Sequence, residues 1–264
     1  MYFSHHEAFP AFKEKLSRGD LVIGTWINAV KDPILPRILA PCGLDYVLID
    51  GEHSGATVAD ISQTCIVARE CGLYPMVRPA DPNDLKANAR LMDAGAMGLV
   101  VPHIDSAEQA RAIANSIRFF NGGTRGYVSK SAASGFQKMT EEAMRAADRA
   151  VTCVVQFESV AAIDQADEIL AVEGVDVAII GRGDLALDMG LPAQPSDPRV
   201  TEQVERVYAA ARRQGKVAGL LTEKLDSAQK RMGRGVTFLT YGSEVAHLQA
   251  AYTNGVAALR AARP

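Results

Sequence analysis

Apolar and polar positions fall along this chain in alternating blocks. Eight short runs are apolar almost throughout and rich in β-branched residues: 21–26, 46–50, 74–78, 97–101, 152–158, 175–181, 217–221 and 236–241. Unbroken apolar runs mark strands buried on both faces, because a strand with one wet face alternates instead. Between them lie segments with apolar residues at i, i+3 and i+4. Residues 58–71 (Ile61, Cys65, Ala68) and 107–119 (Ala110, Ile113, Ile117) are examples, and both predict amphipathic helices. Asp32-Pro33, Thr57, Asp81-Pro82 and Ser106 are the cap or first-turn residues expected ahead of such helices.

Eight strand-then-helix units in about 250 residues predict an α/β chain closed into a (β/α)8 TIM barrel. An open doubly wound sheet is the competitor, but the first turn has no G-x-G-x-x-G fingerprint. No Pro, Gly or Ser-rich linker divides the chain, so residues 1–264 read as one domain. Two stretches break the rhythm. Residues 121–150 form an insertion that opens Asn121-Gly122-Gly123-Thr124-Arg125-Gly126 and carries a polar helical piece over 140–149. Insertions of this length commonly serve as lids or binding loops. Residues 245–262 are Ala-rich and read either as the eighth barrel helix or as a helix reaching a neighbouring protomer.

Composition narrows the function class. With 28 basic and 31 acidic side chains the net charge is −3, which supplies no positive field for nucleic acid. At 48% hydrophobic and 22% charged, the chain is globular rather than disordered. No apolar stretch nears the ~18 residues of a membrane span. The first ten residues, with His5, His6 and Glu7, lack a signal-peptide core. Cys42, Cys65, Cys71 and Cys153 have no C-x-x-C spacing and read as free buried thiols. A cytoplasmic protein is the expectation.

In this fold chemistry collects at the C-terminal strand ends. Those ends read Trp26; Asp50, Glu52 and His53; Arg78; His103; Gln156 and Glu158; Asp184; Glu223; and Gly242-Ser243. Glu158 and Asp184 follow neighbouring strands, so one ion can reach both. Two oxygen ligands with open positions suit Mg²⁺ or Mn²⁺. Alternatively Asp184 caps a helix beginning at Leu185 and Glu158 pairs with a surface cation. Gly181 and Gly183 favour binding, since they open backbone N–H groups to an anion. Arg78 either holds a carbonyl oxygen as enolate charge develops or fastens the rim. His53 is a candidate proton shuttle, with Asp50 fixing its tautomer. Trp26 walls the pocket or plugs the barrel. His103 stands at the mouth without a decided role, and His5, His6 and His247 read as surface or packing residues. The glycines of 122–126 suggest an anion nest by content alone.

Read together, Leu48-Ile49-Asp50-Gly51-Glu52-His53, Val77-Arg78-Pro79, Gln156-Phe157-Glu158 and Gly181-Arg182-Gly183-Asp184-Leu185 form a set. It resembles the HpcH/HpaI aldolases, metal-dependent class II enzymes of the phosphoenolpyruvate/pyruvate barrel superfamily, from about residue 24 to residue 242. The resemblance implies reversible aldol cleavage of a 4-hydroxy-2-oxo acid to pyruvate, or a related 2-oxo acid, and an aldehyde. It implies Glu158 and Asp184 as ligands of a divalent cation, magnesium or manganese with cobalt as a third candidate. Arg78 would stabilise the enolate oxygen and His53, supported by Asp50, would move the proton. The Gly183 and Asp184 N–H groups would hold the substrate carboxylate, with Gln156 and Trp26 completing the substrate-binding set. Asp93 is similar to the family's acidic residue that reaches His53 across a subunit interface. A homo-oligomer, trimer or hexamer, with exchange of the last helix is implied, and neither nucleic acid nor membrane is an expected partner.

The sequence departs from the family pattern at Arg182, where proline is usual, and at His103, which is not usually histidine. Arg182 is therefore expected to add a cation at the mouth. Two other functions compete. A lyase or synthase acting on a CoA thioester lacks an evident basic groove, and a non-catalytic barrel binding a 2-oxo acid has no need of His53.

Overall fold

The computed structural model describes residues 10–262. Its elements follow the order α1 (Pro10–Arg18), β1 (Val22–Ile27), α2 (Leu35–Leu39), β2 (Tyr46–Asp50), α3 (Val58–Glu70), β3 (Tyr74–Arg78), α4 (Leu85–Asp93), β4 (Gly98–Val101) and α5 (Ala107–Ser116). The second half runs α6 (Glu141–Ala150), β5 (Thr152–Phe157), α7 (Val160–Asp164), α8 (Ala166–Leu170), β6 (Val177–Ile180), α9 (Arg182–Asp188), α10 (Pro198–Arg213), β7 (Val217–Thr222), α11 (Leu225–Met232), β8 (Phe238–Ser243) and α12 (Glu244–Ala261). The strands close in sequence order into an eight-stranded barrel, and every pairing is parallel. Each predicted strand is present, its ends within two residues of the expected ones.

Alternation along the strands explains where the site lies. Tyr46 and Leu48 on β2, Tyr74 and Met76 on β3, Val154 on β5, and Val177 and Ile179 on β6 all point into the barrel and pack as one interior cluster. Phe12 of α1 closes its lower end, stacked on the Tyr74 ring with centroids 4.0 Å apart. The opposite strand faces pack on the helices in a larger outer cluster that includes Val47, Val77, Val155 and Ala178. With a side-chain period of two, the next inward positions are Asp50, Arg78, Gln156 and Gly181. The register sets Asp50 directly beside Arg78. The polar mouth is thus the continuation of the apolar interior.

Of the four expected helix starts, two are side-chain caps and two are residues of the preceding turn. Thr57 caps α3 in a reciprocal pair with Asp60, and Ser106 accepts from the Gln109 N–H at the start of α5. Asp32 accepts from the Ile34 N–H in the turn before α2. Asp81 does not cap α4; it accepts from the Asn83 N–H within the preceding turn, and Asp84 is the cap.

The insertion lies elsewhere than a lid. It leaves the C-terminus of α5 and returns through α6 to the start of β5, so both its ends are at the lower face. Arg69 of α3 holds the Ala132 and Ala133 carbonyls, which fastens it there. Of the two roles expected for it, lid or binding loop, a cover over the mouth does not match this placement, because a helix antiparallel to its strand delivers the chain to the opposite end. The eighth helix also departs from a barrel helix. From His247 to Ala262 every residue of α12 and its cap is exposed, including Leu248, Tyr252 and Leu259.

All four cysteines are free, but only Cys65 and Cys153 are buried; Cys42 is exposed and Cys71 half-buried. Burial pushes the Cys65 thiol up to about 12 and the Cys153 thiol up to about 11. Among the described residues no helix is long and apolar enough to cross a membrane. His5 and His6 lie outside the described residues, and His247 is exposed, its ring beside the Tyr241 carbonyl.

Candidate active site

The strand ends surround a cleft of about 580 Å³ lined by Trp26, Arg78, Gln156, Gly181, Gly183 and Asp184, among others. Arg78 is its best-ordered cation. Its Nε donates to Asp50 Oδ1 at 2.9 Å and its Nη2 to Asp50 Oδ2 at 2.7 Å, a forked pair buried at the top of β2 and β3. The guanidinium carbon stands 4.4 Å from the centre of the Trp26 ring. A cation held over an aromatic face loses little more freedom on binding substrate. Trp26 therefore walls the cleft, placed opposite Ser243 by a bulge between Gly24 and Trp26 in the β1–β8 pairing. The rim-fastening role of Arg78 is real, and Glu52 Oε2 adds a third acidic oxygen 3.0 Å from its Nη1. That contact lacks hydrogen-bond geometry, so an acceptor in the cleft can still take the Nη1 N–H groups and the second on Nη2.

Asp50 is committed differently from expectation. Burial pushes its carboxyl up, but hydrogen bonds and charge from Arg78 outweigh that and leave it below the usual aspartate value. It also accepts the backbone N–H groups of Glu52 (3.0 Å) and His53 (3.3 Å). Asp50 thus fixes Arg78 and the loop backbone, not the His53 imidazole. The carboxylate beside that ring is Glu52, whose Oε2 is 3.6 Å from His53 Nε2. His53 itself is largely exposed at the rim.

Glu158 follows β5 and is 4% exposed, packed behind Gln156 and Gly181 of the cleft wall. It accepts from the Gln156 side-chain amide and from the His103 backbone N–H at 2.9 Å. Burial pushes its carboxyl up to about 7, opposed by the His103 N–H and charge and reinforced by the charges of Asp184 and Glu52. Asp184 is thus close enough to be felt electrostatically. A Cβ on Gly181 would overlap Glu158 Oε1 and come within 2.7 Å of its Cγ. Only a residue without a side chain leaves Glu158 its place. Gln156 Oε1 is buried without a hydrogen-bond partner.

Asp184 is exposed in the first turn of α9, which begins at Arg182 rather than at Leu185. Leu185 N–H closes that turn on the Gly181 carbonyl at 3.0 Å. The N–H groups of Arg182, Gly183 and Asp184 therefore have no partner within the helix. Arg182 lines the same cleft, as expected, and its side chain is also a tie. Its Nε donates to the Pro195 carbonyl (2.8 Å) and its Nη2 to the Thr201 hydroxyl (3.0 Å), tying down the segment before α10. Asp93, at the C-terminal end of α4, pairs with Arg125 at 2.6 Å on the lower side. Within one protomer it is therefore far from His53.

Three residues here escape sequence reasoning. Glu52 and His103 are placed at the mouth by the sequence, but without a role. Glu244, the first residue of α12, is buried, and its carboxylate accepts the Asn28, Ala29 and Val30 N–H groups at 2.6–3.0 Å. It holds the loop that follows Trp26. No local signal marks it, because its partners are 214 or more positions away.

The cleft lies at the C-terminal mouth of a (β/α)8 barrel, where enzymes of this architecture keep their active sites. The profile of the HpcH/HpaI aldolase/citrate lyase family matches residues 23–251, and the chain belongs to that family. It is 38% identical to a hydroxypyruvate/pyruvate aldolase of Roseovarius nubinhibens, over 90% of this chain and 91% of that protein. A 2-keto-3-deoxy-L-rhamnonate aldolase of Shigella sonnei is 33% identical, over 88% and 86% of the respective chains. Among solved structures, an HpcH/HpaI aldolase from Desulfitobacterium hafniense superposes with a TM-score of 0.89 at 35% identity, covering 96% of this chain and 97% of that one. The chain is an aldolase, a carbon–carbon lyase.

Proposed function

We propose that the 2-oxo acid binds in the cleft between Arg78 and the pair Glu158 and Asp184, which hold a divalent cation, magnesium or manganese with cobalt as a third candidate. The donor set fits such an ion: two carboxylates, one buried and one open to solvent, leave the remaining positions to water and substrate oxygens. Among the described residues no cluster of three His, Cys, Asp or Glu side chains offers a closed cage. When bound, the cation supplies Lewis-acid withdrawal of electrons from the substrate's keto group.

The chain's own residues do the rest. The Gly183 and Asp184 N–H groups, at the start of α9, donate to the substrate carboxylate. Arg78 directs its spare N–H groups at the keto oxygen and offsets the charge of the enolate as the carbon–carbon bond breaks. Asp50 holds that guanidinium in place, and Trp26 beneath it keeps water from one face. Gln156 orients Glu158. His53 exchanges the proton of the 4-hydroxyl, directly or through water, and its exposure at the rim suits that exchange. Asp93 acts on the His53 of an adjoining protomer in a trimer or hexamer, and α12 is exchanged in that assembly. The protein works in the cytoplasm on small molecules.

The observation that carries this reading is Glu158, a buried carboxylate against the cleft residues Gln156 and Gly181 whose ion pairing among the described residues is with His103 alone. A buried carboxylate without a strong cation is costly, and a divalent ion removes the cost. The test is release of pyruvate from a panel of 4-hydroxy-2-oxo acids, followed by coupled reduction of the product. Exhaustive chelation should lower the rate at least ~100-fold, and added Mg²⁺ or Mn²⁺ should restore it. Full turnover in rigorously metal-free protein would overturn the proposal.

A further inference from the structure

His103 touches the site through both its backbone and its ring. It follows β4 with φ 52°, in the left-handed region that non-glycine residues enter only when their surroundings hold them. That turn sends its N–H to Glu158 Oε2 at 2.9 Å. The ring Nε2 lies 3.0 Å from Glu52 Oε1, and an ionised carboxylate only accepts, so Nε2 carries the proton. Ring Nδ1, at 3.5 Å from Glu158 Oε2, is too distant to add a strong second bond. Glu52 is only 10% exposed at its side chain, and its other oxygen stands 3.0 Å from Arg78 Nη1 without hydrogen-bond geometry. One side chain therefore stands between the buried Glu158 carboxylate and the acid that flanks Arg78.

We propose that His103 is a positioning residue: its ring steadies Glu52 against Arg78, and its left-handed backbone separately steadies Glu158. The two functions come apart. The ring sets where the Arg78 Nη1 donors point, hence how well a developing enolate is held; the turn sets Glu158, hence cation affinity. This rests on the roles given to Arg78 and Glu158 above.

His103→Gly separates them, because glycine keeps the left-handed turn and the N–H while deleting the ring. His103→Gln returns an amide donor to roughly the place of Nε2. Three quantities are read for each: thermal stability of the metal-free protein, Mn²⁺ affinity by calorimetry, and exchange of the pyruvate methyl protons for deuterium at saturating Mn²⁺ by NMR. The Gly variant should bind Mn²⁺ within ~3-fold of the parent yet exchange pyruvate protons ~10–100-fold more slowly, the size expected for a residue acting through a neighbour. Gln should recover most of that loss. Combining His103→Gly with Glu52→Ala should slow exchange no further than Glu52→Ala alone, because either change removes the contact between the ring and this carboxylate. Unchanged exchange in the Gly variant, or losses that multiply in the double variant, would overturn the proposal. Should the Gly variant not fold, Glu52→Ala decides alone: slowed exchange at parental Mn²⁺ affinity supports the proposal, and parental exchange overturns it. A parent protein that neither binds Mn²⁺ nor exchanges protons overturns the reading of the site itself, and is distinguishable from a parent that does both while its variants match it.

Discussion

At Gly181 an absent side chain decides what the site can hold. The backbone there is ordinary, with φ −81°, so conformational freedom is not the reason for glycine. Space is. A methyl group would overlap Glu158 Oε1 and stand 2.8 Å from Gln156 Nε2. Gly181→Ala should therefore displace Glu158 and weaken Mn²⁺ binding by at least ~10-fold, with an overpacking cost of ~1–3 kcal/mol. Calorimetric Mn²⁺ titration alongside urea unfolding checks both, and parental affinity in the alanine variant would contradict the packing argument. Asp50 makes a related point about single residues. Its carboxylate is filled by the forked Arg78 pair and two backbone donors, leaving little for the His53 ring. That division follows from lateral pairing of β2 with β3, which linear spacing does not reveal.

Among the elements, α12 is the one whose environment the rest of the protomer does not supply. Its first residues are built into the mouth: Ser243 caps it, and buried Glu244 holds three N–H groups of the β1 loop. Beyond His247 it leaves the barrel with Leu248, Tyr252, Val256 and Leu259 exposed at helical spacing. A lone helix of this length is marginal in water, since most helical stability comes from packing an apolar face. Burial of this stripe in a second copy of the chain is therefore expected. Light scattering on the eluted full-length protein should give a trimer or hexamer, and removal of residues 248–264 should lower that mass or precipitate the protein. A soluble monomer at micromolar concentration with α12 intact would contradict it. Coupling follows from the root of the helix, because a pull on α12 is felt through Glu244 at the loop beside Trp26.

For the whole molecule, the barrel was legible because strands buried on both faces write themselves as unbroken apolar runs, and eight such runs admit few closures. The mouth was legible for the same reason. Once Tyr46 and Leu48 point inward, Asp50 must too, and likewise Arg78 after Met76 and Gln156 after Val154. What remained hidden depends on contacts distant in sequence: Arg182 turned toward Pro195 and Thr201, Glu244 reaching back to Asn28, and His103 bridging two acids. The insertion misled because length signals function but not which end of the barrel receives it. The account of the whole converges on one cation shared by Glu158 and Asp184, and anomalous diffraction from crystals soaked in Mn²⁺ and pyruvate measures that most directly. It predicts one strong peak within ~2.0–2.4 Å of an oxygen from each carboxylate, with pyruvate completing the coordination beneath Arg78. A saturated crystal with no peak there, or with the metal bound elsewhere and pyruvate away from Arg78, would contradict it.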